Sequence, residues 1–159
     1  MYSVGDKVLY PTHGAGVIDS IEEKTLLGEK KSYYTMRMPV GDMKVMVPLE
    51  SADAAGLRRV VSKSEAENVI KKLATDEPYE NSSWNRRFRE NSEKIRNGNI
   101  YLVASVVRSL TIREHERGLS TGEKKMLSDS RQILISELVL SLDKTKEEVS
   151  EMIEKSIFG

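Results

Sequence analysis

The chain has 159 residues, room for one ordinary domain or two small ones. Its 25 basic residues balance 25 acidic ones and it has no cysteine, which excludes disulfides, thiolate metal sites and a global field that would draw in nucleic acid. No apolar run is long enough to span a bilayer and the first residues lack a signal-peptide profile, so a cytoplasmic protein is expected.

Residues 1–62 read as short strands. Lys7–Tyr10 ends at Pro11, and Thr12-His13-Gly14-Ala15-Gly16 makes a turn. Val17–Ile21 resumes the extended pattern, Leu27-Gly28-Glu29-Lys30 turns again, and Tyr33–Met38 is rich in strand-favouring residues. Gly41-Asp42 marks a hairpin before Lys44–Pro48, and Leu57–Val61 suits a last strand. Turns at roughly ten-residue spacing, without a helical period, predict a small, bent antiparallel barrel.

The pattern then changes. A helix is expected over 62–75, with Ser64 as its cap, acids early and lysines late. A polar, proline-bearing linker follows at 76–81. The second helix runs from about Ser83 to Asn97 and stops at Gly98. Asn99 caps a third, whose apolar positions are Leu102, Val103, Val106, Val107 and Leu110. Ser120-Thr121-Gly122-Glu123 has the form of a capping box and opens a long helix with Met126, Leu127, Ile133, Leu134 and Leu138 inside. Thr145-Lys146-Glu147-Glu148 opens a terminal helix in the same way. The expected fold is therefore α+β in two modules, a β-barrel over 1–62 and an all-α bundle over 63–159.

Charge is distributed unevenly along this layout. Residues 1–83 carry 11 basic and 13 acidic groups, residues 84–131 carry 11 and 6, and residues 132–159 carry 3 and 6. The middle segment is thus basic, at +5, between weakly acidic flanks.

Catalytic chemistry finds no constellation. The two histidines, His13 and His115, fall in different modules without ligand spacing. Gly14-Ala15-Gly16 lacks the third glycine and the helix of a dinucleotide loop, and no Walker loop or nucleophile elbow is present. Neither enzyme activity, metal, cofactor nor small-molecule substrate is expected.

Binding signals are better developed. The second helix opens on the only tryptophan, Trp84, followed by Arg86, Arg87 and Arg89. Arg87, Asn91 and Lys94 share one helical face, and Arg86 and Arg89 share the next. On the long helix Lys124, Ser128 and Arg131 form a second polar stripe beside Lys125. Periodicity alone places Trp84, Phe88 and Ile95 on a buried stripe. An indole beside guanidinium groups at a helix start also suits a grip on a phosphate backbone with an apolar edge against bases.

Three stretches together resemble the CarD/CdnL family of bacterial RNA polymerase-binding transcription regulators. They are Val4-Gly5-Asp6-Lys7-Val8-Leu9-Tyr10-Pro11-Thr12-His13-Gly14, Trp84-Asn85-Arg86-Arg87-Phe88 and Arg117-Gly118-Leu119-Ser120-Thr121-Gly122-Glu123-Lys124-Lys125-Met126-Leu127. The first module is also similar to the polymerase-interacting domain of the bacterial transcription-repair coupling factor. The resemblance implies a Tudor-like barrel that docks on the RNA polymerase β subunit by edge-strand pairing and charged contacts. It implies a helical module lying on promoter DNA at the upstream edge of the melted bubble, nucleoid-associated through the polymerase.

Trp84 matches the family's minor-groove wedge, and Arg86, Arg87 and Lys124 match positions that hold the DNA backbone. With Arg89, Lys94, Lys125 and Arg131 these are the candidate DNA-binding residues, without sequence preference. Lys24 matches a basic position of the polymerase contact. Met46 stands where well-known members carry arginine, a departure for which Lys44 is the candidate substitute. The competing readings are a protein–protein adaptor that touches no DNA, with Trp84 buried, and an RNA-binding module on a small barrel.

Overall fold

The computed structural model describes residues 1–75 and 83–159. The linker expected at 76–81 lies outside the described residues.

Five strands form one antiparallel sheet: β1 (Lys7–Tyr10), β2 (Gly14–Leu26), β3 (Glu29–Arg37), β4 (Lys44–Pro48) and β5 (Arg58–Arg59), in the order β4-β3-β2-β1-β5. Strands β4 and β5 stand at opposite edges, so the sheet is open where a barrel was expected. With only two residues, β5 offers little backbone for closure. A register shift between Ile18 and Ser20 marks a bulge at Asp19 and bends β2 where it leaves the core. Beyond the bulge, Glu22–Leu26 of β2 pair only with Glu29–Tyr33 of β3 and project as an exposed ribbon. That polar ribbon extends both strands past their sequence-predicted ends.

The helices are α1 (Lys63–Leu73), α2 (Trp84–Asn97), α3 (Ile100–Glu116), α4 (Thr121–Leu142) and α5 (Lys146–Phe158). Ser62, two residues before the expected Ser64, caps α1 by accepting from the Glu65 amide. Asn99 caps α3, and Thr145 forms a complete capping box with Glu148 at the start of α5. On α3 the buried face is Ile100, Val103, Ala104, Val106, Val107 and Leu110, and Leu102, expected there, is half-buried. The predicted inner face of α4 is buried except for half-buried Leu127.

Strand alternation lets β1 serve two cores. Val8 faces Ile18, Tyr34, Met36 and Val47 inside the curl of the sheet. Leu9, its neighbour, joins Ala15 in a second core built mainly from α1, α3, α4 and α5, including Val69, Leu73, Val107, Leu134, Leu138 and Ile153. Polar bonds reinforce this seam. The Ala15 amide donates to Ser136 Oγ at 2.8 Å, and Arg58 donates twice to Glu137, at 2.7 and 2.8 Å, and to the Gly98 carbonyl. No helix among the described residues is long and apolar enough to cross a membrane.

Candidate nucleic-acid interface

Helix α2 begins where Ser83 Oγ accepts from the Arg86 amide, and it ends at Gly98, whose φ of 80° suits a C-terminal cap. Trp84 is therefore in the first turn. One turn on, Phe88 stacks beneath it, ring centroids 4.9 Å apart and planes 16° from parallel. The indole Nε1 donates to Ser120 Oγ at 3.0 Å. Ser120 is the cap of α4, and Gly122 lies against the same aromatic pair, near Phe88 Cε2 and Trp84 Cζ2. The Nε1–Cζ2 edge of the indole thus faces α4. Trp84 is still 43 % exposed. Since Nε1 is the indole's only polar atom, the outward part is hydrocarbon. Phe88 and Ile95 pack on the small apolar cluster of Val106, Leu110 and Met126, as the helical spacing predicts.

Next to the tryptophan, the basic residues divide into two groups. Arg87 points inward. Its Nε and Nη2 donate to the two Glu123 oxygens at 3.0 and 3.2 Å, and the two side chains are 13 % and 2 % exposed. Burial alone would raise the Glu123 pKa, but the bonds and charge of Arg87, with the charge of Arg113, hold it below its ordinary value. Arg87, expected on the DNA backbone, ties α2 to α4 through this pair. Arg131 is likewise drawn inward, donating to Ser150 Oγ at 2.8 Å and pairing with Glu154 on α5. Lys94 is half-buried.

The outward group is Arg86 and Arg89 on α2 and Lys124 and Lys125 on the first turn of α4. Arg86 pairs with Glu90 and Lys125 with Asp129 within their own helices, and such exposed pairs are weak enough to be exchanged for phosphates. The sequence reading missed Ser120 and Glu123. The Ser-x-x-Glu signal pointed at both as a capping box, but only one arm forms: Ser120 Oγ accepts from the Glu123 amide at 3.2 Å, and the Glu123 carboxylate is taken by Arg87.

On the sheet, Lys44 and Met46 share one face of β4, opposite the inward Val45 and Val47. Lys44 pairs with Asp19 at the bulge, 3.4 Å away, and half-buried Met46 lies opposite Thr35. Lys24 is exposed on the projecting ribbon opposite Lys31. Since Lys31 precedes Thr35 by four residues, Lys24 stands roughly 13 Å along the strands from Met46. The outer edge of β4 pairs with no other described strand.

The sheet with its open edge and the helix pair presenting a hydrocarbon ring among exposed cations are two separate candidate surfaces. Comparison with known families makes the class specific: residues 2–61 match the CarD-like/TRCF RID domain and residues 68–154 match the CarD C-terminal domain. The chain belongs to the CarD/CdnL family of RNA polymerase-binding transcription regulators. It is 38 % identical over 138 residues to the putative transcription factor YdeB of Bacillus subtilis, covering 87 % of this chain and 90 % of that protein. It is also similar to the N-terminal domain of Myxococcus xanthus CarD, solved by NMR, at 36 % identity over 37 % of this chain and 79 % of that one, with a TM-score of 0.33.

Proposed function

We propose that this protein docks on the RNA polymerase β subunit through its sheet and stabilises the open promoter complex by setting Trp84 against the upstream edge of the bubble. The observation that carries the reading is the half-exposed, hydrocarbon face of Trp84 at the start of α2, flanked by Arg86, Arg89, Lys124 and Lys125. An apolar ring beside a distorted step offsets unstacking, which costs about a few kcal/mol per step. The four cations hold the backbone without reading sequence.

A factor that binds the open state better than the closed one shifts the population by its differential affinity alone. A preference of about 1.4 kcal/mol changes open-complex occupancy about tenfold. Binding to free DNA should be weak, on the order of 10⁻⁴–10⁻⁶ M, and tethering through the polymerase supplies the local concentration that makes it effective. Docking of the sheet would use the open edge of β4, with Lys44 and Met46 on that strand and Lys24 farther along the sheet on the projecting ribbon.

Trp84→Ala is expected to leave polymerase binding intact and shorten open-complex lifetime on a slow-opening promoter by roughly tenfold. An unchanged lifetime would favour an adaptor that touches no DNA. Lys124→Ala is expected to weaken binding to forked DNA equally across sequences and to lower the slope of log affinity against log salt by about 1. A fluorescence titration over several salt concentrations reads both effects.

A further inference from the structure

We propose that Ser120, backed by the Arg87–Glu123 pair, is a positioning device that fixes the orientation of Trp84 before DNA arrives. This rests on the reading of Trp84 as the DNA contact and explains how the ring is held.

Two residue pairs join the first turns of α2 and α4, and they match in spacing. Trp84 and Arg87 are three apart on α2, and their partners Ser120 and Glu123 are three apart on α4. Side chains at that separation lie on one helical face, so the two rungs act together. Ser120 Oγ accepts from Trp84 Nε1 and from the Glu123 amide, which fills both of its lone pairs. Its own proton lies towards Glu123 Oε1, 3.5 Å away, so the hydroxyl is directed by the same carboxylate that Arg87 grips. Phe88 supports the indole from below and Gly122 closes the side.

An exposed tryptophan without such support would sample several rotamers and lose that freedom on binding. Here the ring is ordered in the free protein. Its N–H is already committed to Ser120, so contact with a base step is left to the hydrocarbon face, which every step accepts alike. Ser120, Glu123 and Arg87 need not touch DNA to matter for it.

The test compares full-length Ser120→Ala, Ser120→Thr, Trp84→Ala, Trp84→Phe and the double variant Trp84→Phe/Ser120→Ala. Near-UV circular dichroism and anisotropy of the single tryptophan are measured on the free protein, and open-complex lifetime is measured with polymerase. Ser120→Ala should weaken the tryptophan bands, lower the anisotropy and shorten the lifetime by roughly two- to tenfold, the weight of one net hydrogen bond. Ser120→Thr should restore all three.

In the Trp84→Phe background, which has no N–H to hold, Ser120→Ala should produce no further loss of lifetime. An unaltered tryptophan spectrum in Ser120→Ala overturns the proposal. So does an equal loss in the Trp84→Phe background, which would assign the effect to the helix cap alone. A null result for Trp84→Ala overturns the DNA reading instead, and the free-protein spectra still judge the clamp.

Discussion

Glu123 is an ionised side chain almost wholly out of water, and it is tolerable there because Arg87 meets it with two bonds. Replacing such a pair by well-packed apolar groups can be neutral, but removing one partner strands the other charge. Glu123→Ala is therefore expected to cost about 3 kcal/mol in urea unfolding near neutral pH. The carboxyl's folded pKa lies below its ordinary 4.5, so its contribution is complete above that value. It falls away as pH drops from there through the folded pKa, where the native state too takes up the proton. The stability gap between wild type and Glu123→Gln should accordingly narrow on acidification below pH 4.5. A gap that widens there would mean that Arg87 does not hold the carboxylate in its charged form. The pairing itself was not legible in the sequence. Ser120 and Glu123 offered a local capping box, and nothing in the spacing said that an arginine 36 residues away would compete for the same carboxylate.

At the scale of elements, helix ends were the most legible features, because caps are local chemistry. Ser83, Asn99, Ser120 and Thr145 each start the helix expected of them. The strands were legible only where one face is buried. The ribbon formed by Glu22–Leu26 and Glu29–Tyr33 carries no apolar alternation, so its pairing could be read only from structure. Gly98 shows a second constraint at an element boundary. It ends α2 with φ at 80°, a Cβ there would lie 2.8 Å from Pro11 Cγ, and its carbonyl accepts from Arg58. Gly98→Ala combines left-handed strain with a clash against a stiff ring, and should destabilise by about 2 kcal/mol. Thermal unfolding measures it. A loss of only a few tenths would show that the Pro11 turn yields without resistance.

At the scale of the molecule, two modules read from the sequence are joined by a common core in the structure. The reading placed the boundary where the periodicity changes from strand to helix, and that change is real near residue 62. Periodicity could not reveal that Leu9 and Ala15 turn away from the sheet's own core to pack among helices. Nor could it reveal that buried Glu137 on α4 accepts from Arg58 of β5 and from the Val61 amide. A seam with apolar contacts and satisfied polar groups couples the two modules in free energy, so local opening of one should cost the other its support. Four of the six tyrosines, Tyr2, Tyr10, Tyr33 and Tyr34, lie in the sheet module, and Trp84 is on the helices, which supplies separate reporters. Wild-type urea unfolding followed by tyrosine and by tryptophan signals is expected to give coincident midpoints, as a single cooperative unit requires. Glu137→Ala removes a carboxylate that serves two donors and leaves the half-buried Arg58 without it, at a cost of about 2 kcal/mol after allowing for solvent at the arginine. It should also separate the two midpoints. Coincident transitions in that variant would place the coupling in Leu9, Ala15 and their apolar neighbours alone. Two transitions already present in the wild type would mean that the sheet and the Trp84 helix unfold independently, and that the seam between them does not couple their stabilities.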